Sequence, residues 1–272
     1  MILGTVHTQV VGEARRHQLA RSAAGESVVT RVARVLGAFD QDHTELSVAE
    51  IARRAHLPVP TAHRFVAQLA AEGLLERGDG RVRIGNRLWA LGACGTRALR
   101  LREAAMPYLE DAHAVTRQHI WLYALDGLDV LVIERLRARN AVSNLRLKVG
   151  KKVAAHATAG GLVLFAHAAP ELQDALLAQP LRCYTPRTPT TPEQVRACWQ
   201  ATLRNGFASC EGWVEPHVTG ISVPVRGASG AVVAALGLLL PRSGPEPTTQ
   251  LPVLLAASRG ITRALAPQRA AS

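Results

Sequence analysis

The chain has 272 residues, 48% of them apolar, and carries a formal net charge of +11 at pH 7. That length and apolar content suffice for a large core and two domains, while no apolar run reaches the ~18 residues that a membrane-spanning helix needs. Its four cysteines (Cys94, Cys183, Cys198, Cys210) form no C-x-x-C pair and no metal-like spacing, which excludes a cysteine-based metal site and fits a reducing, cytoplasmic setting. The basic excess is almost all arginine, with only three lysines. Up to Arg102 there are 15 basic against nine acidic residues, and beyond it 17 against 12. Excesses of six and five result, denser in the shorter first part, and basicity of this kind favours a polyanionic partner.

In chain order, residues 1–26 read as a flexible tail, since Met1–Gly25 is too polar and too rich in arginine for a secretory signal. Ser27–Phe39 has helical periodicity, with Val28, Val32, Val35, Leu36 and Phe39 turned inward. Ser47 is followed three residues later by Glu50, the capping-box pattern, and opens a second helix. His56-Leu57-Pro58 interrupts it, because proline disfavours helix in the residue before it. Pro60 suits the first turn of a third helix. Ala62, Phe65, Val66 and Leu69 form that helix's inner stripe, leaving Thr61, Arg64 and Gln68 on the opposite face with His63 beside them. Gly73 supplies a left-handed stop. A two-stranded ribbon then closes on Gly78-Asp79-Gly80, with Arg81 and Arg83 on one side.

This order of elements over residues 27–86 is a winged helix-turn-helix, whose second helix enters the major groove of duplex DNA. Arginine forks to guanine, glutamine pairs with adenine, and threonine and histidine are more promiscuous. The wing arginines suit the phosphate backbone. With the helix-start residues Ser47 and Pro60, the candidate DNA-binding set is therefore Thr61, His63, Arg64, Gln68, Arg81 and Arg83. A solvated amphipathic hairpin that serves only as an interaction surface is the alternative reading of the same pattern.

Residues 87–102 read as a helical linker, and 103–268 as a second domain. In it, Arg102–Gln118 is helical but broken near Pro107. Ile120–Leu125 and Val130–Leu136 are hairpin strands, and Val142–Lys148 is a further strand. Thr158–His167 and Pro170–Leu177 are helices, and Thr191-Pro192-Glu193-Gln194 is a capping box opening a helix that ends at Gly206. Ile221–Val225 and Ala231–Leu240 are closing strands, and Leu251–Ala266 is a last helix. The fold class is α+β, with an antiparallel sheet and helices on its faces. No nucleophile elbow, H-E-x-x-H or phosphate loop occurs, so the sequence points to no enzyme, no cofactor and no metal.

The residues Ala49-Glu50-Ile51-Ala52, Thr61-Ala62-His63-Arg64 and Gly73-Leu74-Leu75, with Gly150, His156-Ala157-Thr158-Ala159, Arg204-Asn205-Gly206-Phe207-Ala208 and Glu215-Pro216, resemble the IclR family of transcription regulators. The resemblance spans roughly Val28 to Leu265. It implies a winged N-terminal domain, a helical linker and a GAF-like C-terminal domain that binds a small-molecule effector. It also implies a homodimer, often assembling to a tetramer, on a pseudo-palindromic DNA operator. Carried over by position, the effector would meet Ala159, Gly160, Cys210 and Trp213, together with Val218, Gly220, Gly237 and Leu239. The chain departs from the family pattern at Gly161-Leu162, where Gly-Lys is common, and at Cys210-Glu211-Gly212-Trp213, which keeps one carboxylate of an acidic run. Glycine and leucine on the last strands imply a roomier, more apolar pocket suited to an aromatic or hydrophobic effector.

Overall fold

The computed structural model describes residues 26–40, 42–94, 96–138, 148–244 and 246–266. The expected opening tail and the strand expected at 142–148 fall, but for one residue each, outside these. The chain divides into two compact units at Thr96/Arg97.

The first unit contains α1 (Val28–Leu36), β1 (Glu45–Leu46), α2 (Val48–Ala55), α3 (Val59–Ala71), β2 (Leu75–Gly78), β3 (Arg81–Ile84) and α4 (Asn86–Ala93). Val35, Leu46, Ile51, Phe65, Val66 and Leu75 share one buried core with Val82. The capping box forms in full: the Glu50 amide donates to Ser47 Oγ (3.3 Å) and the Ser47 amide donates to Glu50 Oε2 (2.8 Å). His56 takes the left-handed conformation (φ 51°) at the end of α2, and the Leu57 amide returns to the Ala52 carbonyl (2.9 Å). Those two features make the sharp turn that lets α3 start at once. Two expectations change. The ribbon is a three-stranded sheet in the order β1-β3-β2, because Leu46 pairs with Val82. Val28 is 58% exposed, since the first turn of α1 runs past the core.

The second unit contains α5 (Arg97–Thr116), β4 (His119–Asp126), β5 (Asp129–Leu136) and β6 (Lys152–Val153). A short 3₁₀ turn (Ala155–Ala157) leads into α6 (Ala159–Ala166), α7 (Pro170–Leu177) and α8 (Pro192–Asn205). The chain closes with β7 (Ala208–Glu211), β8 (Val218–Arg226), β9 (Val232–Pro241) and α9 (Leu251–Leu265). Six strands form one antiparallel sheet in the order β6-β5-β4-β9-β8-β7. One face, carrying Ile120, Leu122, Val223, Leu236 and Leu238, packs with Leu101, Leu109, Leu254 and Ile261 of α5 and α9. The opposite face, carrying Trp121, Tyr123, Cys210 and Ala235, packs with α6 and with Val195 and Trp199 of α8.

The linker and the break at Pro107 need correction. The helix that follows the wing stops at Ala93, and a separate 20-residue helix begins at Arg97 inside the second unit. Gly92, one residue before the first of these helices ends, weakens helix propensity there. Pro107 sits inside α5 without ending it. It lies on the exposed side, as does Glu103, the residue whose carbonyl loses a donor to the proline ring, and water can replace that bond.

The start of α6 is fixed by close contact. A Cβ on Gly161 would stand 2.1 Å from the Ala155 carbonyl oxygen, and one on Gly160 would stand 2.4 Å from the Tyr123 ring. The helix therefore reaches its place only because both side chains are missing. Gly161→Ala is expected to lower stability by about 1–3 kcal/mol, visible as a fall in melting temperature. An unchanged melting curve would mean that the Ala155–Ala157 turn yields freely.

Candidate DNA interface and ligand cavity

On α3, His63, Arg64 and Gln68 are exposed and Thr61 is half-buried, as the stripe Ala62, Phe65, Val66 and Leu69 requires. Pro60 is exposed in the first turn. The Arg64 guanidinium lies over the Phe65 ring, 5.6 Å from its centre, so this side chain is partly steadied before any partner arrives. Ser47 is committed to its cap: its hydroxyl also donates to Glu50 Oε2 (2.8 Å).

Arg81 and Arg83 are both exposed on the wing, and each already meets a carboxylate. Arg81 Nη1 reaches Glu50 Oε2 at 2.9 Å, and Arg83 Nε reaches Glu76 Oε2 at 2.8 Å. Hydrogen bonds from Ser47 hold the Glu50 carboxyl below its usual range, and the Arg83 hydrogen bond does the same for Glu76. Ion pairs so open to water are weak because solvent screens them, so a phosphate can displace either carboxylate at little cost.

In the second unit, one cavity of about 50 Å³ lies between the sheet and the start of α6. Ala159 and Gly160 line it from the helix, and Cys210, Val218 and Gly220 from β7 and β8. Gly237 and Leu239 line it from β9, and Trp213 from the β7–β8 turn. All eight positions named from the sequence thus border a single space. Strand register explains the gathering: Cys210 pairs with Gly220, Gly220 with Leu239, and Ser222 with Gly237.

The cavity also has walls that sequence reasoning did not name: Tyr123, Thr158, Glu215 and Ser222. Thr158 was legible as a helix start, and its hydroxyl accepts from the Gly161 amide (3.2 Å). Tyr123 and Ser222 become neighbours only through strand pairing, which no local pattern reveals. The carboxylate that reaches the cavity is Glu215, whose Oε2 is 3.6 Å from His217 Nε2. Glu211 is drawn away by Arg242 (2.5 Å) and lies nearer Arg187 (3.6 Å).

The chemistry of the space is that of a largely apolar cleft with polar groups at two places, the start of α6 and the Glu215 carboxylate. Burial pushes the Cys210 thiol and the Tyr123 hydroxyl upward, so both stay protonated. Thr158 satisfies Gly161, and the first-turn amides of Ala159 and Gly160 have no acceptor inside their own helix. A helix N-terminus of this kind favours an anionic group. Gly237, however, does not open room. A Cβ there would stand 2.2 Å from Ser222 Oγ and 2.8 Å from the Ile221 carbonyl oxygen. The expected roominess at this position is absent because β8 approaches too closely, and β9 contributes backbone rather than space. Among the described residues, no group of three or more His, Cys, Asp or Glu side chains is placed to hold a metal ion.

Gly237→Ala is accordingly expected to destabilise the second unit by about 1–3 kcal/mol, read by thermal unfolding. A melting temperature equal to that of the unaltered chain would show that Ser222 can turn aside and that space does exist.

Residues 28–79 match the model of the IclR helix-turn-helix domain, and residues 95–262 that of the bacterial transcriptional regulator IclR C-terminal domain. The Pca regulon regulatory protein of Pseudomonas putida is 30% identical over 238 residues, covering 85% of this chain and 81% of its own. The HTH-type transcriptional regulator XynR of Escherichia coli (strain K12) is 28% identical over 213 residues, covering 77% and 84%. Among solved structures, an IclR homologue from Microbacterium hydrocarbonoxydans complexed with 4-hydroxybenzoate is 41% identical, with a TM-score of 0.81 over 88% of this chain and 99% of that one.

Proposed function

Because the chain belongs to the IclR family of transcriptional regulators, we propose that its effector is a small aromatic carboxylic acid bound in the cavity between α6 and the sheet. A regulator with a DNA-binding and an effector-binding domain is the function of this family, and its members are not enzymes. The observation that carries the finer reading is the pairing of a helix N-terminus with an apolar cleft. The amides of Ala159 and Gly160 would receive the carboxylate. Tyr123, Val218, Leu239 and Trp213 would flank the ring, and the Ser222 hydroxyl and Cys210 thiol would meet a ring substituent. The relative that holds 4-hydroxybenzoate supports this choice of ligand class. At about 50 Å³ the cavity is smaller than the ~150 Å³ apolar hole that accepts benzene in another protein. Entry of a ring therefore calls for movement of the lip that carries Trp213.

The DNA-binding residues of this proposal are Thr61, His63, Arg64 and Gln68 on α3 and Arg81 and Arg83 on the wing, with Ser47 and Pro60 fixing the helix starts. The protein works in the cytoplasm as a homodimer, placing two copies of α3 on half-sites about 34 Å apart. Trp89 and Leu91 on α4, 74% and 57% exposed, supply apolar surface for such pairing. The effector changes DNA affinity only to the extent that it binds the two arrangements of the dimer differently.

Arg64→Ala is expected to remove about 1–3 kcal/mol of preference for operator over random DNA, measured by fluorescence anisotropy with both duplexes. The lost contact with Phe65 should cost at most about 1 kcal/mol of stability. A variant that keeps the full preference would pass the reading role to Thr61, His63 or Gln68. Replacing Arg81 and Arg83 together by alanine should weaken both duplexes alike and reduce the salt slope by up to about 2. Altered sequence preference at an unchanged slope would instead put the wing in a groove.

A further inference from the structure

One stretch of irregular chain touches both rims of the cavity. Between α7 and α8, the Arg182 carbonyl accepts a hydrogen bond from His156 Nε2 (2.9 Å), in the turn that leads into α6. The His156 ring also stacks on Tyr184 at 6.2 Å. Three residues further along that turn lie the amides assigned to the carboxylate. At its other end the same stretch holds the lip. Thr188 Oγ1 donates to the Trp213 carbonyl (2.6 Å), and Thr185 Oγ1 donates to the Gly212 carbonyl (2.7 Å). Both threonines are buried. Thr188 Oγ1 also accepts the amides of Tyr184 (3.1 Å) and Thr185 (2.9 Å), which closes the stretch into a rigid loop.

We propose that residues 182–188 are a strap that fixes the distance between the α6 rim and the Trp213 lip, with Thr185 and Thr188 as positioning residues that set the ring width the cavity accepts. The inference rests on the reading of this cavity as the aromatic-acid site. Neither threonine touches the ligand; each acts through the backbone of Gly212 and Trp213. Removing the Thr188 hydroxyl leaves the Trp213 carbonyl only the longer bond from Thr185 Oγ1 (3.3 Å), so the lip is held less tightly and Trp213 can swing outward. A narrow ring then loses its clamp, whereas a wider one gains entry.

The test uses the full chain and two probes, 4-hydroxybenzoate and 2-naphthoate, by isothermal titration. Thr188→Val, similar in shape but without the hydroxyl, should bind 4-hydroxybenzoate about tenfold more weakly. Its selectivity for the narrow over the wide acid should fall severalfold, and operator affinity without effector should not change. Thr188→Ser retains the hydroxyl and should keep both affinities. Equal weakening of the two acids would overturn the strap as a selector, because a merely loosened fold lowers both together. So would wild-type behaviour in Thr188→Val, or equal losses in Thr188→Ser and Thr188→Val. If Thr188→Val shows no cooperative melting, Thr185→Val makes the same comparison, since Thr188 still holds the loop closed. Failure of the unaltered chain to bind either acid would sink the ligand assignment, and the strap with it.

Discussion

A single antiparallel sheet with two apolar faces is the constraint on which the second unit depends. Each face must be covered, and the chain covers them unequally. Long helices α5 and α9 close one face with leucine and isoleucine. The opposite face receives α6, eight residues of which Ala159, Gly160 and Gly161 are the first three, all buried. So small a helix start can lie directly against Tyr123, but it leaves a gap where β7, β8 and β9 face it. The cavity is what the short helix leaves uncovered. Its polar end and its apolar walls come from the same fact, because the helix terminus that lacks side chains also exposes its amides.

The first unit solves a different problem, that of presenting cations without burying them. The stripe from Ala62 to Leu69 consumes one face of α3 and leaves the other free. The wing carries its arginines beside carboxylates that are only half-buried. Nothing in this arrangement is strongly desolvated, so exchange of one anion for another is easy in either direction. That is the behaviour needed of a surface that must leave DNA as readily as it finds it.

Local signals in the sequence were the ones that could be read. Capping boxes at Ser47 and Glu50 and at Thr191 and Gln194 form as their spacing requires. Asp79 and Gly80 adopt positive φ at the wing tip, as the Gly-Asp-Gly turn demands. Two-residue strands such as β1 and β6 were invisible, because two residues carry no periodicity. Pro107 was misjudged since its cost depends on whether the freed carbonyl faces water, which a sequence does not tell. Gly237 was misjudged for a related reason: a missing side chain marks either open space or close approach, and only the register with Ser222 decides. The threonines of the strap escaped notice because their partners lie 25 and 27 residues away.

Glu50 has one consequence that spans two elements. Its Oε2 receives the Ser47 amide, the Ser47 hydroxyl and the Arg81 guanidinium. The start of α2 and the wing strand β3 are therefore tethered through one oxygen, although 31 residues separate Glu50 from Arg81. The wing is thereby held close to the start of α2 before any partner arrives, so less backbone freedom remains to be lost on association, while Arg81 itself exchanges Glu50 for a new anion.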